Sequence, residues 1–183
     1  MFAQLSFPPA QATWLPAAEQ PLPAGVCWRE ARQDDLPFFR QLFAETRAAD
    51  FAALPWPDVQ FQAFLDSQFA LQHLHYTTHY APAHFLLIEQ AGLPAGRLYL
   101  HDDGHEMTII DIVLADAVRG LGIGSSLLRV VQATARRDGL AGIVLHVEKR
   151  NAAAQRLYQR LHFTVEADTG SHLRMRWAAA AVS

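Results

Sequence analysis

Val113-Leu114-Ala115-Asp116-Ala117-Val118-Arg119-Gly120-Leu121-Gly122-Ile123-Gly124-Ser125-Ser126-Leu127-Leu128 runs from an apolar strand, through a basic turn with glycine at every second position, into an amphipathic helix. The first turn of a helix carries backbone N–H groups without intrahelical partners, and the helix dipole favours an anion at that end. Gly120, Gly122 and Gly124 lack a Cβ and let successive amides face one diphosphate, while Arg119 adds a charge-assisted partner at the mouth. An arginine at a helix N-terminus is otherwise disfavoured, and an anion seated between the two removes that penalty.

Two better-known phosphate-binding patterns fail here on spacing. The loop of nucleoside triphosphatases closes on Gly-Lys-Ser/Thr, whereas Gly124-Ser125-Ser126 has no lysine; the dinucleotide fingerprint needs a glycine where Ser125 or Leu127 stands. Arg-x-x-Gly-x-Gly remains, and by itself it reads either as an anion cradle or as a plain strand-to-helix turn.

A second segment narrows the choice. Asn151-Ala152-Ala153-Ala154-Gln155-Arg156-Leu157-Tyr158-Gln159-Arg160-Leu161-His162-Phe163 follows the apolar strand Ile143-Val144-Leu145-His146-Val147 after a short charged turn. Asparagine is a good helix N-cap and alanine the strongest helix former, and Tyr158 falls two turns on, on nearly the same face as Asn151. Read alone, Asn151 is an ordinary cap and Tyr158 an ordinary half-buried aromatic.

Together the two segments resemble the GCN5-related N-acetyltransferase (GNAT) superfamily, which combines Arg/Gln-x-x-Gly-x-Gly/Ala with a downstream Asn-x-x-Ala-x-x-Leu-Tyr-x-x-x-Gly-Phe helix. The resemblance implies acetyl-coenzyme A as acyl donor, its pyrophosphate held by Arg119, Gly120, Leu121, Gly122, Ile123, Gly124 and Ser125, its arm met by Asn151 and Tyr158. It also implies a pantetheine arm pairing with the strand end Ile112-Val113-Leu114, where a backbone N–H stabilises the developing oxyanion. One departure stands out: His162 replaces the glycine before the final phenylalanine, a position that calls for a left-handed residue, which histidine tolerates better than most.

Composition agrees with a single enzyme-sized domain. The chain has 183 residues, of which 51 % are hydrophobic, enough for a sizeable core. A lone cysteine, Cys27 in an apolar run, excludes disulfide frameworks and zinc-knuckle spacing and fits a reducing, cytoplasmic setting. A net charge of −3 with no basic stripe argues against a nucleic-acid partner. Nothing approaches the roughly 20 apolar residues of a membrane span, and Met1-Phe2-Ala3-Gln4 lacks a basic leader, so no membrane association is expected. Arg136-Arg137 and Lys149-Arg150 suit helix C-termini or remote phosphates. His75 and His79 share a helix face, but no third ligand has diagnostic spacing, so no metal is expected.

The element pattern predicts an α/β (α+β) fold: a mixed, mostly antiparallel central sheet flanked by helices in the order βααβββαβαββ, as in the GNAT superfamily. Residues 1–24, rich in proline and alanine, read as an arm outside the fold, 25–178 as one acyltransferase domain and 179–183 as a tail. Strands are expected over 26–31, 83–90, 95–101, 106–114, 142–147, 163–167 and 172–177, with helices over 33–47, 58–79, 121–137 and 151–161. On the long second helix, Phe61, Phe64, Leu65, Phe69, Leu71 and Leu74 are the expected buried face.

Acetyl transfer needs a fixed thioester, a polarised carbonyl, a deprotonated amine and a protonated leaving thiolate. Tyr158 is the candidate general acid. Asp111, isolated among Ile109, Ile110, Ile112 and Val113, is either the general base or a carboxylate paired with a neighbouring arginine or backbone N–H. Glu106, His101 and His105 are weaker alternatives. The resemblance places the acceptor pocket at the first two helices and neighbouring turns, which supply Glu45, Asp50, Trp56, Asp58, Phe61, Asp102 and Asp103; acids beside aromatics suit a cationic small-molecule or peptide amine. Direct transfer in a ternary complex is expected, and the resemblance implies a homodimer. The rival expectation is a non-catalytic acyl-CoA-binding or regulatory module that keeps the cofactor cleft.

Overall fold

The structure, a computed structural model, describes residues 5–9, 21–51 and 56–179. Among these, seven strands, β1 (Val26–Glu30), β2 (His84–Gln90), β3 (Leu93–Asp102), β4 (Glu106–Leu114), β5 (Gly142–Glu148), β6 (Thr164–Asp168) and β7 (His172–Ala178), form one sheet in the order β1-β2-β3-β4-β5-β7-β6. Four α-helices, α1 (Leu36–Phe51), α2 (Asp58–His79), α3 (Ile123–Arg137) and α4 (Ala152–Arg160), cover its two faces. The mixed sheet and element order are as the sequence predicts. The turn expected over 91–94 is tighter, because β3 already begins at Leu93.

Both faces of the sheet are covered, which is why the middle strands are almost continuously apolar. On one face, Ile123, Leu127, Leu128, Val131 and Ala135 of α3 and Tyr158 of α4 pack on Leu98, Leu100, Ile109, Ile143 and Leu145. On the other, Phe39 and Phe43 of α1 and Leu65 and Phe69 of α2 pack on Leu87, beside an aromatic cluster around Phe85 and Tyr99. The buried row of α2 is Leu65, Phe69 and His73 at fourfold spacing, and Leu71 and Leu74 face solvent instead. Burial of His73 is explained by its Nε2, 2.9 Å from the Ser6 carbonyl oxygen, with Phe7 edge-on to the imidazole. Residues 5–9, expected outside the fold, therefore lie on it; 10–20 fall outside the described residues. Cys27, expected in an apolar setting, is exposed on the edge strand β1.

Only one strand pair in the sheet is parallel, and it is short. β4 pairs with β5 from Glu106↔Gly142 to Ile109↔Leu145 and no further, while β4 continues along β3 to Leu114 and β5 along β7 to Glu148. A bulge at this point places Ile110 between the pairs Tyr99↔Asp111 and Leu100↔Ile109. Bulges bend and twist their strand, and here the sheet splits open beyond it. The edge of β4 facing β5 is therefore unpaired over residues 110–114.

His162 adopts φ 65°, the left-handed conformation anticipated for it, as the chain leaves α4. The Phe163 N–H donates to the Tyr158 carbonyl at 3.0 Å, closing the helix. A Cβ in that conformation costs about 1–2 kcal/mol, partly offset by the greater chain entropy of glycine when unfolded. His162→Gly is accordingly expected to stabilise the fold by about 0.5–1 kcal/mol, read as a Tm raised by roughly 2–3 °C; an unchanged or lowered Tm would count against this account.

Candidate active site

The split between β4 and β5 opens into a cavity of about 1010 Å³ that runs from the glycine turn to the C-terminal half of α1. At one end, Gly120 and Gly122 have φ 77° and 79°, a conformation that favours glycine, and Gly122 caps α3 with no side-chain hydrogen bond to its first-turn amides. A Cβ at either glycine would meet nothing within 4 Å, so the space beside the turn is open. Open, uncapped amides at the N-terminus of a long helix are what a diphosphate requires. The residues at 112–114, Gly120, Gly122, Ile123, Gly124, Ser125, Asn151 and Tyr158 all line the same cavity.

Two expected contacts are differently arranged. Arg119 Nε donates to the Leu114 carbonyl at 2.9 Å and its Nη1 lies 2.5 Å from Asp116, so its side chain fixes the turn. Asn151 is the N-cap of α4, its Oδ1 accepting from the Ala154 N–H at 3.0 Å. Lys149 and Arg150, considered for remote phosphates, pair with Asp168 and with Asp50 and Glu148.

At the other end, Asp111 meets Arg97 of β3, whose Nη2 is 2.6 Å from Asp111 Oδ2. This is a charge contact without hydrogen-bond alignment: Asp111 Oδ2, Arg97 Nε and the Tyr99 hydroxyl are all buried with no hydrogen-bond partner among the described residues. Arg97 also donates to Gln72 of α2 at 2.8 Å and lies over the Tyr99 ring at 5.4 Å. Burial opposes the guanidinium charge, but Asp111 holds its pKa above the ordinary value. The alternative reading of Asp111, a carboxylate paired with an arginine, is the one whose geometry is present.

Tyr158 projects from α4 into the same space. Burial first, then the Asp111 charge, push its phenol well above the ordinary tyrosine value, and Tyr76 of α2 is raised by the same two causes. No hydrogen bond holds the Tyr158 hydroxyl among the described residues. Across the mouth, Arg47 of α1 pairs with Glu148 at 2.6 Å and with Asp50 at 3.3 Å, and Arg150 pairs with both acids at 2.7 and 2.8 Å. This four-charge clasp ties the end of α1 to the β5–α4 turn.

Of the expected acceptor residues, Glu45 and Asp50 line the cavity, whereas Trp56, Asp58 and Phe61 do not. Trp56 packs edge-on to Phe64 at 5.1 Å, and Phe61 packs against the α1/α2 core. Asp102 and Asp103 sit in the β3–β4 turn at the opposite end of β4, where they accept from backbone N–H groups. Glu106, at the start of β4, is paired with Arg176, and His101 lies 2.8 Å from the Pro82 carbonyl. Gln72, Tyr76, Arg97, His146 and His172 line the cavity without having been anticipated. Arg97 and His146 each interrupt an apolar strand, the signal that singled out Asp111. No group of three metal-ligating side chains is present among the described residues, and no helix there is long and apolar enough to cross a membrane.

The sequence model of the acetyltransferase (GNAT) family matches residues 28–163. The chain belongs to that family. It is similar to a mycothiol acetyltransferase of Thermobispora bispora, 33 % identical over 90 residues, covering 45 % of this chain and 30 % of that protein. The chain thus matches less than a third of the length of this curated relative. Among solved structures it is similar to the PaiA N-acetyltransferase of Thermoplasma acidophilum in complex with coenzyme A, with TM-score 0.65, 16 % identity, and coverage of 84 % of this chain and 99 % of that one. It is also similar to RimL, a ribosomal L7/L12 alpha-N-protein acetyltransferase, with TM-score 0.61, 22 % identity, and coverage of 87 % and 92 %. At these identities the likeness is one of fold.

Proposed function

We propose that this chain is an acetyl-CoA-dependent N-acetyltransferase that moves the acetyl group directly to an amine. The observation that carries the reading is the convergence of the open glycine turn, the unpaired β4 edge and Tyr158 on one cavity. Each fits a different part of coenzyme A: amides for the pyrophosphate, a free strand edge for the amide-bearing pantetheine, and a phenol for the sulfur. The PaiA relative holds coenzyme A, and yncA of Salmonella typhimurium holds acetyl-CoA, which supports the choice of donor. When bound, that donor supplies an activated thioester.

The chain's own groups supply the rest. Free N–H groups of β4 just beyond the bulge orient and polarise the carbonyl, and Tyr158 delivers a proton to the departing sulfur. Its raised pKa does not forbid this, because a thiolate forming in the same buried space is destabilised for the same reason. Burial, reinforced by the Asp111 charge, keeps the phenol protonated. Cys27 is exposed on β1, three strands from β4, which favours direct transfer over a covalent carrier.

For the acceptor, Glu45 is the lining carboxylate without a cationic partner among the described residues; its Oε1 accepts from Gln41 at 2.9 Å. The other lining acids are neutralised by Arg47, Arg97, Arg119 and Arg150. A cationic amine is thus the favoured class, spanning polyamine-like molecules, amino acids, aminoglycoside-like compounds and peptide amines. The reading is tested by calorimetric binding of acetyl-CoA together with thiol release against a panel of such amines. Binding with release is expected; tight binding without release from any amine would point to a binding module, and no binding would overturn the proposal.

A further inference from the structure

The proton acceptor for the attacking amine is a role that Asp111 fills poorly. Its carboxylate already faces the buried Arg97, and protonating it would leave that guanidinium uncompensated in the protein interior. Another group on the same face of the split sheet is better placed.

His146 is the first residue of β5 beyond the last β4–β5 pair, Ile109↔Leu145, and so stands where the two strands separate. Alternation along β5 sends Ile143, Leu145 and Val147 into the α3/α4 core, and therefore sends His146 and Glu148 to the opposite face, the one with Asp111 and α1. His146 lines the cavity together with Asp111 and Tyr158. Among the described residues no hydrogen bond or ion pair engages its imidazole, and its ring nitrogens are available for a substrate or a water.

The charges around it favour a neutral imidazole. His146 is itself exposed; partial desolvation first, then Arg174, its register partner on β7, and the neighbouring His172 lower its pKa from the ordinary histidine value, although Arg174 is paired with Glu166 and lies 3.9 Å from Glu106. Glu148 on its own strand and Asp111 on β4 would act oppositely, but Arg47 with Arg150 neutralises the first and Arg97 the second. From α2, Tyr76 presents a phenol that stays neutral because burial and Asp111 raise its pKa.

We propose that His146, and not Asp111, takes the proton from the acceptor ammonium, through one water. This rests on the cavity being an acetyl-transfer site. The nitrogen gives up two protons as the C–N bond forms and the C–S bond breaks. One passes through His146 to solvent; the other balances the proton that Tyr158 delivers to sulfur. Asp111 is then a positioning residue, holding Arg97 and keeping the phenols protonated.

The test is His146→Gln, followed by two readouts. The first is the pH profile of kcat, which reports groups in the complex and not the free amine's own titration. The wild type is expected to show an acid limb with a midpoint below about 6.5, and the variant a kcat lower by about 10²-fold with that limb gone. The second needs no turnover: histidine side-chain NMR of the unliganded protein, with the His146 signal assigned by its loss in the variant. Its titration midpoint is expected below the ordinary value. A variant that keeps the acid limb and kcat, an NMR midpoint at or above 6.5, or a limb that vanishes in Asp111→Asn but not in His146→Gln would overturn the assignment. A wild type that binds acetyl-CoA but releases no thiol to any amine would overturn the transfer reading itself, and the NMR midpoint would still report the charge state inferred for His146.

Discussion

Replacing Arg97 by methionine is expected to cost about 3–5 kcal/mol of stability, read as a shift in the urea midpoint and a Tm lower by roughly 10 °C. Arg97 keeps only 4 % of its side chain exposed and Asp111 15 %, so the pair sits at low dielectric with little water to replace a lost partner. Methionine fills most of the volume, which limits the cavity contribution. The loss then falls on Asp111, left charged beside the buried phenols of Tyr99 and Tyr158 and the half-buried one of Tyr76, and on Gln72, which loses its donor at 2.8 Å. Because the pair's attraction is largely offset by its desolvation, Arg97→Met combined with Asp111→Leu is expected to recover most of the single variant's loss. A single variant within about 1 kcal/mol of the wild type would show that solvent screens this pair as it does at a surface.

The Arg97–Asp111 pair also marks where sequence reading succeeds and where it stops. Periodicity located the strands and helices because both cores are built from regular apolar spacing, and the ends of α2 and β4 fall where the pattern changes. The positive φ of His162 is legible by another route, the resemblance to the GNAT motif, in which a glycine holds that position. Local rules fail for partners brought together by strand order. Asp111 reads as anomalous in its own strand, but that Arg97 satisfies it depends on the β3–β4 register and on a one-residue bulge that no local pattern announces. The cavity has the same origin: it exists because β4 and β5 stop pairing after four residue pairs, an event of sheet geometry. His73 shows the complementary case, a polar residue on a core face made tolerable by a backbone carbonyl more than sixty residues away. The expected aromatic wall of Trp56 and Phe61 failed for a related reason: Phe61 is taken up by packing between α1 and α2, and Trp56 stays exposed, edge-on to Phe64.

Tyr158→Phe is expected to lower kcat by about 10²–10³-fold while leaving the acetyl-CoA dissociation constant within about threefold, roughly 0.7 kcal/mol. The ring is 7 % exposed and packs against Phe163 at a centroid distance of 5.8 Å, so phenylalanine occupies the same space and the fold is retained. What disappears is a hydroxyl that nothing in the chain engages among the described residues and that is kept protonated by burial and by Asp111. The sign of that shift fixes the pH behaviour. A phenol raised above its ordinary value stays neutral up to and beyond about pH 10, so the proton needed by sulfur is present across the whole working range, and the wild-type profile should show no alkaline limb from Tyr158 below that pH. An amine acceptor whose kcat were unaffected by the substitution, with acetyl-CoA bound more weakly, would make the hydroxyl a binding group for the donor. Loss of kcat alone, with an intact dissociation constant, is the outcome that distinguishes a proton donor at sulfur from a wall of the cleft, because only the former acts after the thioester is already in place.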